Sequence, residues 1–194
     1  MQAAVPDFGS AETRLVFDNS RFQQDFFQLF GLPPACRLDT ALLERHYHAL
    51  QEQVHPDKFS HLSEAERRVS MQWATRVNEA YQTLSNPVTR ARYLLSLHGV
   101  DIREECNTAM PAEFLMEQME WREAIEEARQ ARAAAELDKL ELRLKQEMRG
   151  LEIQLASRID DRQDYAVAAE DVRKLKFLEK LAEEIASAFD AIDT

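Results

Sequence analysis

The sequence predicts an all-α protein, and three observations support that prediction. Gly and Pro are scarce, at 4 and 6 of 194 residues, which leaves too few turns for a β-sandwich or a β-barrel. Hydrophobic residues make up 45% of the chain and charged residues 30%, a composition typical of amphipathic helices that bury one face. Apolar side chains recur at helical spacing along most of the chain.

Two helices are predicted before the first motif. The first begins after Ser20 and ends at Gly31. The second begins at Asp39 or Thr40 and ends near His55, because a residue that precedes proline avoids the α conformation. Their apolar faces are Phe22, Phe26, Leu29 and Phe30 on the first helix, and Leu43, Tyr47, Leu50 and Val54 on the second.

A third, long helix is predicted to open at a capping box of Ser63 and Glu66 and to end at Asn86, which precedes a proline. A short fourth helix from about Val88 to Leu97 is expected to end at Gly99. The apolar stripe of the third helix is Val69, Trp73, Val77, Ala80, Tyr81 and Leu84. These elements predict a compact N-terminal domain over residues 21–98.

Residues 99–112 lack helical periodicity and are predicted to form a linker. Three long helical stretches follow, and short connections between them predict an antiparallel three-helix bundle over residues 113–194. The apolar stripes of the second and third stretches are Leu137, Leu140, Leu144, Met148, Leu151 and Leu155, and then Leu175, Leu178, Leu181, Ala182, Ile185 and Phe189.

The charge differs between the two halves. Residues 1–100 hold 10 basic and 11 acidic residues, a net charge of −1, whereas residues 101–194 hold 14 and 24, a net charge of −10. The overall field therefore does not hold the protein on nucleic acid or on an anionic membrane. No apolar run approaches the ~20 residues of a transmembrane helix. Because of this and the charge distribution, neither nucleic acid nor membrane is expected as a partner.

Cysteine and histidine usage predicts a reduced protein without a cofactor. Cys36 and Cys106 are 70 residues apart and form neither a disulfide framework nor a zinc motif, which favours a cytoplasmic location. The five histidines show no i, i+4 pair of the kind that binds zinc on a helix, so no metal site is predicted. Residues 1–20 are predicted to be a mobile extension.

The motif with the most functional content is His55-Pro56-Asp57, which lies between the second and third predicted helices. Proline restricts φ and the aspartate can accept hydrogen bonds from loop amides, so the motif predicts a stiff, exposed tip that displays an imidazole and a carboxylate. An enzyme that uses these two groups for acid–base catalysis is disfavoured, because a loop tip offers no desolvated pocket and the chain shows no nucleophile or phosphate loop.

With this motif in its context, the chain resembles the HscB-type J-domain co-chaperones of iron–sulfur cluster assembly. The matching stretches are DFFQLFGLP (25–33), VHPDKF (54–59), RVNEAYQTLSNPVTRARYLLSLHG (76–99), FLMEQMEWREAIEE (114–127) and VRKLKFLEKL (172–181). The resemblance implies a J-domain at 21–98 and a protein that is not an enzyme. It also implies two partners, a DnaK/HscA-type ATPase chaperone and an IscU-type cluster scaffold protein held by the C-terminal bundle.

The resemblance implies that the J-domain contacts the chaperone through His55, Pro56, Asp57, Lys58, Phe59 and Arg45, and thereby stimulates ATP hydrolysis. J-domains usually carry a basic face on the second helix. Here Glu44 and Glu52 lie on that helix, and His48 stands where a lysine is common. Electrostatic steering is therefore expected to be weak or to use Lys58, Arg67 and Arg68 instead.

The helical phase of the C-terminal half predicts a second binding surface. Phe114, Trp121, Ile125 and Ala128 share one face, which is expected to pack inside the bundle. Leu115, Met116 and Met119 lie on another face, and Phe177 lies off the inward stripe of the last helix. Exposed methionines and aromatics are typical of adaptable protein-binding surfaces. Glu120 and Glu123 flank them, and the resemblance implies that these six residues contact the scaffold protein.

Other interpretations of the C-terminal half remain open from the sequence. The surplus apolar residues can instead cover an interface between the two domains. The bundle can also serve as a generic client holder or as a dimerisation coiled coil. Few positions fit a clean heptad pattern, which disfavours a long coiled coil and predicts a monomer.

Overall fold

The computed structural model describes residues 22–54, 63–102 and 112–192, and the regular elements in these ranges are all helical, as predicted. The chain divides into two compact units, Met1–Arg90 and Ala91–Thr194. This division falls earlier than the linker predicted at 99–112. Residues 103–111 lie outside the described ranges, so the predicted domain limits 21–98 and 113–194 stay predictions.

The helices are numbered in chain order. They are α1 (Phe26–Leu29), α2 (Thr40–Val54), α3 (Glu64–Ser85), α4 (Pro87–Leu97), α5 (Ala112–Gln130), α6 (Ala134–Ala156) and α7 (Tyr165–Ile192), with a π-helical turn at Ser157–Arg162 between α6 and α7. Among them, none is both long enough and apolar enough to span a bilayer.

The predicted extent of the first helix is wrong. Residues 23–25 are not helical, and α1 is a single turn whose N-cap is Asp25, with Oδ1 accepting a hydrogen bond from the amide of Gln28 at 2.9 Å. Gly31 follows with a φ of 64°, a left-handed conformation that glycine adopts without strain. Local capping by an aspartate therefore takes precedence over the apolar spacing of the phenylalanines.

Helices α2 and α3 form the hairpin that borders the His55 motif. The rings of Tyr47 and Tyr81 stack with centroids 4.0 Å apart, and the Tyr47 hydroxyl donates to Asn78 Oδ1 at 3.0 Å. The buried apolar residues of the two helices are Leu43, Val54, Trp73, Val77, Ala80 and Leu84. These residues belong to the predicted stripes, so the orientation of both helices is confirmed.

Arg90 is a buried cation that joins the start of α4 to the loop before α2. Its Nε donates to the carbonyl of Cys36 at 2.9 Å, and its Nη1 donates to the carbonyl of Leu84 at 2.6 Å. The carbonyl of Leu84 lies near the end of α3, where helix carbonyls lose their intrahelical donors. Arg90 thus satisfies buried backbone acceptors at two distant points of the N-terminal unit.

Helices α5, α6 and α7 enclose one apolar core, which confirms the predicted helical bundle. The buried residues of this core are Trp121, Ile125, Ala128, Leu137, Leu144, Leu178, Leu181, Ile185 and Ala188. At the turn between α6 and α7, Arg158 Nη1 donates to the carboxylate of the buried Asp171. Burial raises the pKa of Asp171, while the hydrogen bond from Arg158 opposes that shift.

Candidate functional site

Arg45 is the one predicted chaperone contact that falls on described residues. The remaining five lie outside them: His55, Pro56, Asp57, Lys58 and Phe59. The structure does show the two residues that border this segment, Val54 at the end of α2 and Ser63 before α3. Each is held by a specific interaction.

Val54 is fully buried, and its carbonyl accepts a hydrogen bond from the Ser70 hydroxyl at 2.7 Å. Ser70 lies on α3 and is itself fully buried. The last carbonyls of a helix lack intrahelical donors, so a hydroxyl from the neighbouring helix satisfies one of them here. This bond fixes the end of α2 against α3 one residue before His55.

On the other side of the segment, the predicted capping box is confirmed. The amide of Ser63 donates to Glu66 Oε2 at 2.9 Å, its hydroxyl donates to the same oxygen at 2.6 Å, and the amide of Glu66 donates back to Ser63 Oγ at 3.4 Å. The start of α3 is therefore as firmly defined as the end of α2.

The sequence predicts that α2 lacks a basic face, and its exposed residues agree with this prediction. Arg45 is exposed, and no described residue forms an ion pair with it. One turn away, His48 Nε2 lies 3.9 Å from Glu44 Oε1, with both side chains largely in solvent. The exposed side chains of α2 therefore include an acidic group as well as Arg45 and do not form a uniformly cationic surface.

The first turns of α3 offer further cations next to the same segment. Arg67 and Arg68 are exposed, and no described residue pairs with either. Met71, one turn further along, is 55% exposed, a feature that the predicted apolar stripe of this helix did not include. All three side chains are close in sequence to the segment that carries His55. That Arg67 and Arg68 steer chaperone docking stays a prediction.

The second predicted surface lies on the bundle. Leu115, Met116 and Met119 are 47%, 59% and 71% exposed, so their predicted exposure is confirmed, and we call these three residues the α5 patch. Folding usually buries the large apolar side chains of a helix, because burying one stabilises the protein by roughly 1.5–3 kcal/mol. Three of them in solvent on consecutive turns point to a binding surface.

Phe177 is less exposed than predicted. Phe177 is half-buried and packs against the bundle core. Its ring meets that of Phe114 edge-on, with centroids 5.4 Å apart and an interplanar angle of 78°. Phe177 therefore contributes to the packing of α7 on α5 as well as to the surface.

Glu120 and Glu123 are exposed, and no described residue forms an ion pair with either. On a helix, Met116, Glu120 and Glu123 follow at i, i+4 and i+7 and so share one stripe. The α5 patch is thus bordered along one side by two exposed carboxylates.

Sequence reasoning missed two cations beside these rings. The guanidinium carbon of Arg122 lies 5.6 Å from the centroid of Phe177, and Lys174 Nζ lies 5.8 Å from the centroid of Phe114. The spacing of seven residues predicts that Arg122 and Leu115 lie on the same side of α5. It does not predict that Arg122 contacts Phe177, because Phe177 lies on α7.

Glu117 of α5 and Glu147 of α6 carry two half-buried carboxyl groups that interact with each other. Burial raises the pKa of Glu147, the negative charge of Glu117 and a hydrogen bond with its carboxyl group raise it further, and the cation of Arg143 opposes the shift. Within the described ranges, no three histidine, cysteine or acidic side chains are grouped as a metal site.

Two families of known proteins match the two parts of the chain. Residues 25–93 match the DnaJ domain, and residues 110–186 match the domain described as the HSCB C-terminal oligomerisation domain. The chain is 55% identical over 171 residues to the co-chaperone protein HscB homolog of Azoarcus sp. strain BH72, covering 88% of this chain and 97% of the relative. It is 56% identical over 172 residues to that of Aromatoleum aromaticum, covering 89% and 97%.

Solved structures show the same likeness. The chaperone HscB from Vibrio cholerae superposes with a TM-score of 0.78 at 38% identity, covering 86% of this chain and 98% of that one. The human co-chaperone protein HscB superposes with a TM-score of 0.80 at 34% identity, covering 84% and 81%.

Proposed function

Because this chain belongs to the HscB family of J-domain co-chaperones, we propose that it stimulates ATP hydrolysis by a DnaK/HscA-type chaperone through His55, Pro56 and Asp57. The C-terminal bundle delivers an IscU-type iron–sulfur scaffold protein to that chaperone. The co-chaperone performs no covalent chemistry itself, and the chaperone's ATPase rate is its measurable output. It acts in the cytoplasm as a monomer.

The arrangement of α2 and α3 supports the chaperone-binding half of this proposal. The end of α2 is anchored by the Ser70–Val54 hydrogen bond and the start of α3 by the Ser63 capping box, so the chain segment between them is tethered at both ends. Arg45, Arg67 and Arg68 supply exposed cations on the two flanking helices. Exposed cations of this kind accelerate encounter with an acidic partner surface.

The single observation that carries the scaffold-binding half is the exposure of Leu115, Met116 and Met119 on the domain that does not carry the J-domain motif. Two methionines adapt their shape to a partner because the side chain is unbranched and flexible. Glu120 and Glu123 form a charged rim, and Phe177 adds an aromatic edge. The six predicted residues thus combine an apolar centre with polar margins.

The decisive experiment is the steady-state ATPase rate of the purified chaperone, measured with and without the scaffold protein. Wild type is expected to raise the rate, and to raise it further when the scaffold is present. His55→Gln should abolish the stimulation while circular dichroism and scaffold binding stay unchanged. Undiminished stimulation by His55→Gln would falsify the assignment of residues 55–57.

A second candidate function for the bundle is self-association, which the description of the matching C-terminal family as an oligomerisation domain favours. Sedimentation velocity of the full chain separates the two. A single species at the mass of one chain, which still binds the scaffold, supports the proposal. A stable wild-type dimer that becomes a monomer when Leu115 and Met119 are replaced by alanine supports self-association instead.

A further inference from the structure

The α5 patch adjoins a row of aromatic and charged side chains that runs from α7 to α5 and back. Lys174 lies over Phe114, Phe114 meets Phe177 edge-on, and Arg122 lies over Phe177. Each ring therefore has a cation of its own. Cations near aromatic faces are attracted by the negative charge density of the ring.

Glu184 completes this row from α7. Its Oε1 lies 3.4 Å from Arg122 Nε, and the Glu184 side chain is 33% exposed against 47% for Arg122. The same guanidinium therefore contacts a carboxylate and an aromatic ring, both from α7. An arginine with a single surface contact samples many rotamers, but two fixed contacts restrict it to few.

The helical phase places this arrangement beside the α5 patch. Leu115 and Arg122 are seven residues apart, about two turns of helix, so they project from the same side of α5. Because Arg122 covers Phe177, Phe177 lies on that side as well. The ring of Phe177 and the exposed side chain of Leu115 therefore lie on one side of α5, next to the contact between Arg122 and Glu184.

We propose that Glu184 is a positioning residue for the scaffold-binding surface. It holds Arg122 over Phe177 and thereby keeps Phe177 beside Leu115 before the scaffold arrives. This inference rests on the proposed function of the α5 patch. The ordering of the arginine and the ring occurs on folding, so less conformational entropy is lost when the partner binds.

The neighbouring Glu183 provides a matched control. It carries the same charge on the same helix and is exposed, and no described residue forms an ion pair with it. A change in the overall field of the bundle affects the Glu183→Gln and Glu184→Gln variants alike. A change in the position of Arg122 affects only the second.

The test is a double-mutant cycle on the dissociation constant for the purified IscU-type scaffold protein, measured by titration calorimetry with the full chain. Glu184→Gln is expected to weaken binding roughly two- to fivefold, the range of an exposed cation–π contact. Glu183→Gln should leave it unchanged. In an Arg122→Met background, Glu184→Gln should have no further effect, because its action passes through Arg122. Circular dichroism at the assay temperature confirms that each variant is folded.

Three results overturn the inference while the proposed function survives. The first is a Glu184→Gln variant that binds the scaffold as tightly as wild type. The second is a Glu183→Gln variant that loses as much affinity as Glu184→Gln. The third is a loss of the same size when Glu184→Gln is made in the Arg122→Met background, which indicates a general packing role. The proposed function fails separately if wild type does not bind the scaffold, or if Leu115→Ala with Met119→Ala leaves binding intact, and the inference then fails with it.

Discussion

Phe114 and Leu115 are consecutive residues of α5 with opposite environments: Phe114 is 7% exposed and packs edge-on against Phe177, whereas Leu115 is 47% exposed. One step of ~100° around a helix separates the core of the bundle from its surface. The same helix therefore holds the domain together on one side and presents apolar groups on the other. Substitutions in the proposed binding surface and substitutions in the core can therefore be made separately on this helix.

The first prediction concerns the α5 patch. Leu115→Ala combined with Met119→Ala should weaken scaffold binding at least tenfold, because apolar side chains at the centre of an interface each contribute about 1 kcal/mol or more. The melting temperature should change by less than about 2 °C, since neither side chain is buried. Calorimetric titration and thermal unfolding measure the two effects.

The matched control for this double variant lies on α6. Leu142 and Ile153 are also large apolar residues with more than half of the side chain exposed, and they are outside the proposed surface. Leu142→Ala with Ile153→Ala should leave scaffold binding at the wild-type level. An equal loss of affinity in both double variants would mean that the interaction is nonspecific, and a large fall in melting temperature would place Leu115 and Met119 in the core.

The second prediction concerns the anchor of α2. Ser70→Ala removes the hydroxyl that donates to the buried carbonyl of Val54. A buried acceptor without a donor costs about 1–3 kcal/mol, so the free energy of unfolding should fall by that amount. Because the end of α2 is then less constrained, the maximal stimulation of the chaperone ATPase should also fall at a temperature where the variant is fully folded.

Ser96→Ala is the corresponding control. Ser96 also donates its hydroxyl to a carbonyl, that of Tyr93 at 2.7 Å, but it is exposed, and water replaces the lost bond. Its unfolding free energy should therefore change by less than about 0.5 kcal/mol. Denaturant titration that finds equal stability for Ser70→Ala and wild type would show that the Val54 carbonyl has another donor.

The third prediction concerns pH. The pKa of Glu147 is raised in the folded protein, so the folded state holds this proton more tightly than the unfolded chain does. The free energy of unfolding therefore falls as the pH rises from the ordinary pKa of a glutamate to the folded-state pKa. Glu147→Gln removes this destabilising charge, so the variant should melt at a higher temperature than wild type at pH 7.

The stability difference between the two proteins should disappear as the pH falls below about 4.5, the usual pKa of a glutamate, because Glu147 is then protonated in the folded and the unfolded state alike. Asp138→Asn removes an exposed acid from the same helix and should not reproduce this pattern. Melting curves recorded between pH 4 and 7 provide the measurement. A variant less stable than wild type at pH 7, or a difference that does not depend on pH, would contradict a raised pKa of Glu147 in the folded protein.

Helix boundaries in this chain follow closely from local sequence. The capping box of Ser63 and Glu66 opens α3, and Asn86 before Pro87 separates α3 from α4, as predicted. Gly99 adopts a φ of 76° just after α4 ends. Such signals act within four residues, so neighbouring sequence contains what is needed to recognise them. The exception is α1, where Asp25 caps a shorter helix than the apolar spacing predicts.

The apolar period is sufficient to predict the all-α class, the buried stripes of α3, α6 and α7, and the exposure of Leu115, Met116 and Met119, because burial on a helix follows directly from residue spacing. Which distant groups meet depends instead on how the helices pack. Arg122 and Glu184 are 62 residues apart, and Arg90 lies 54 residues from Cys36. Long polar side chains have many chemically equivalent partners, so only the packing of the helices selects among them. The same packing partly buries Phe177 against the core of the bundle.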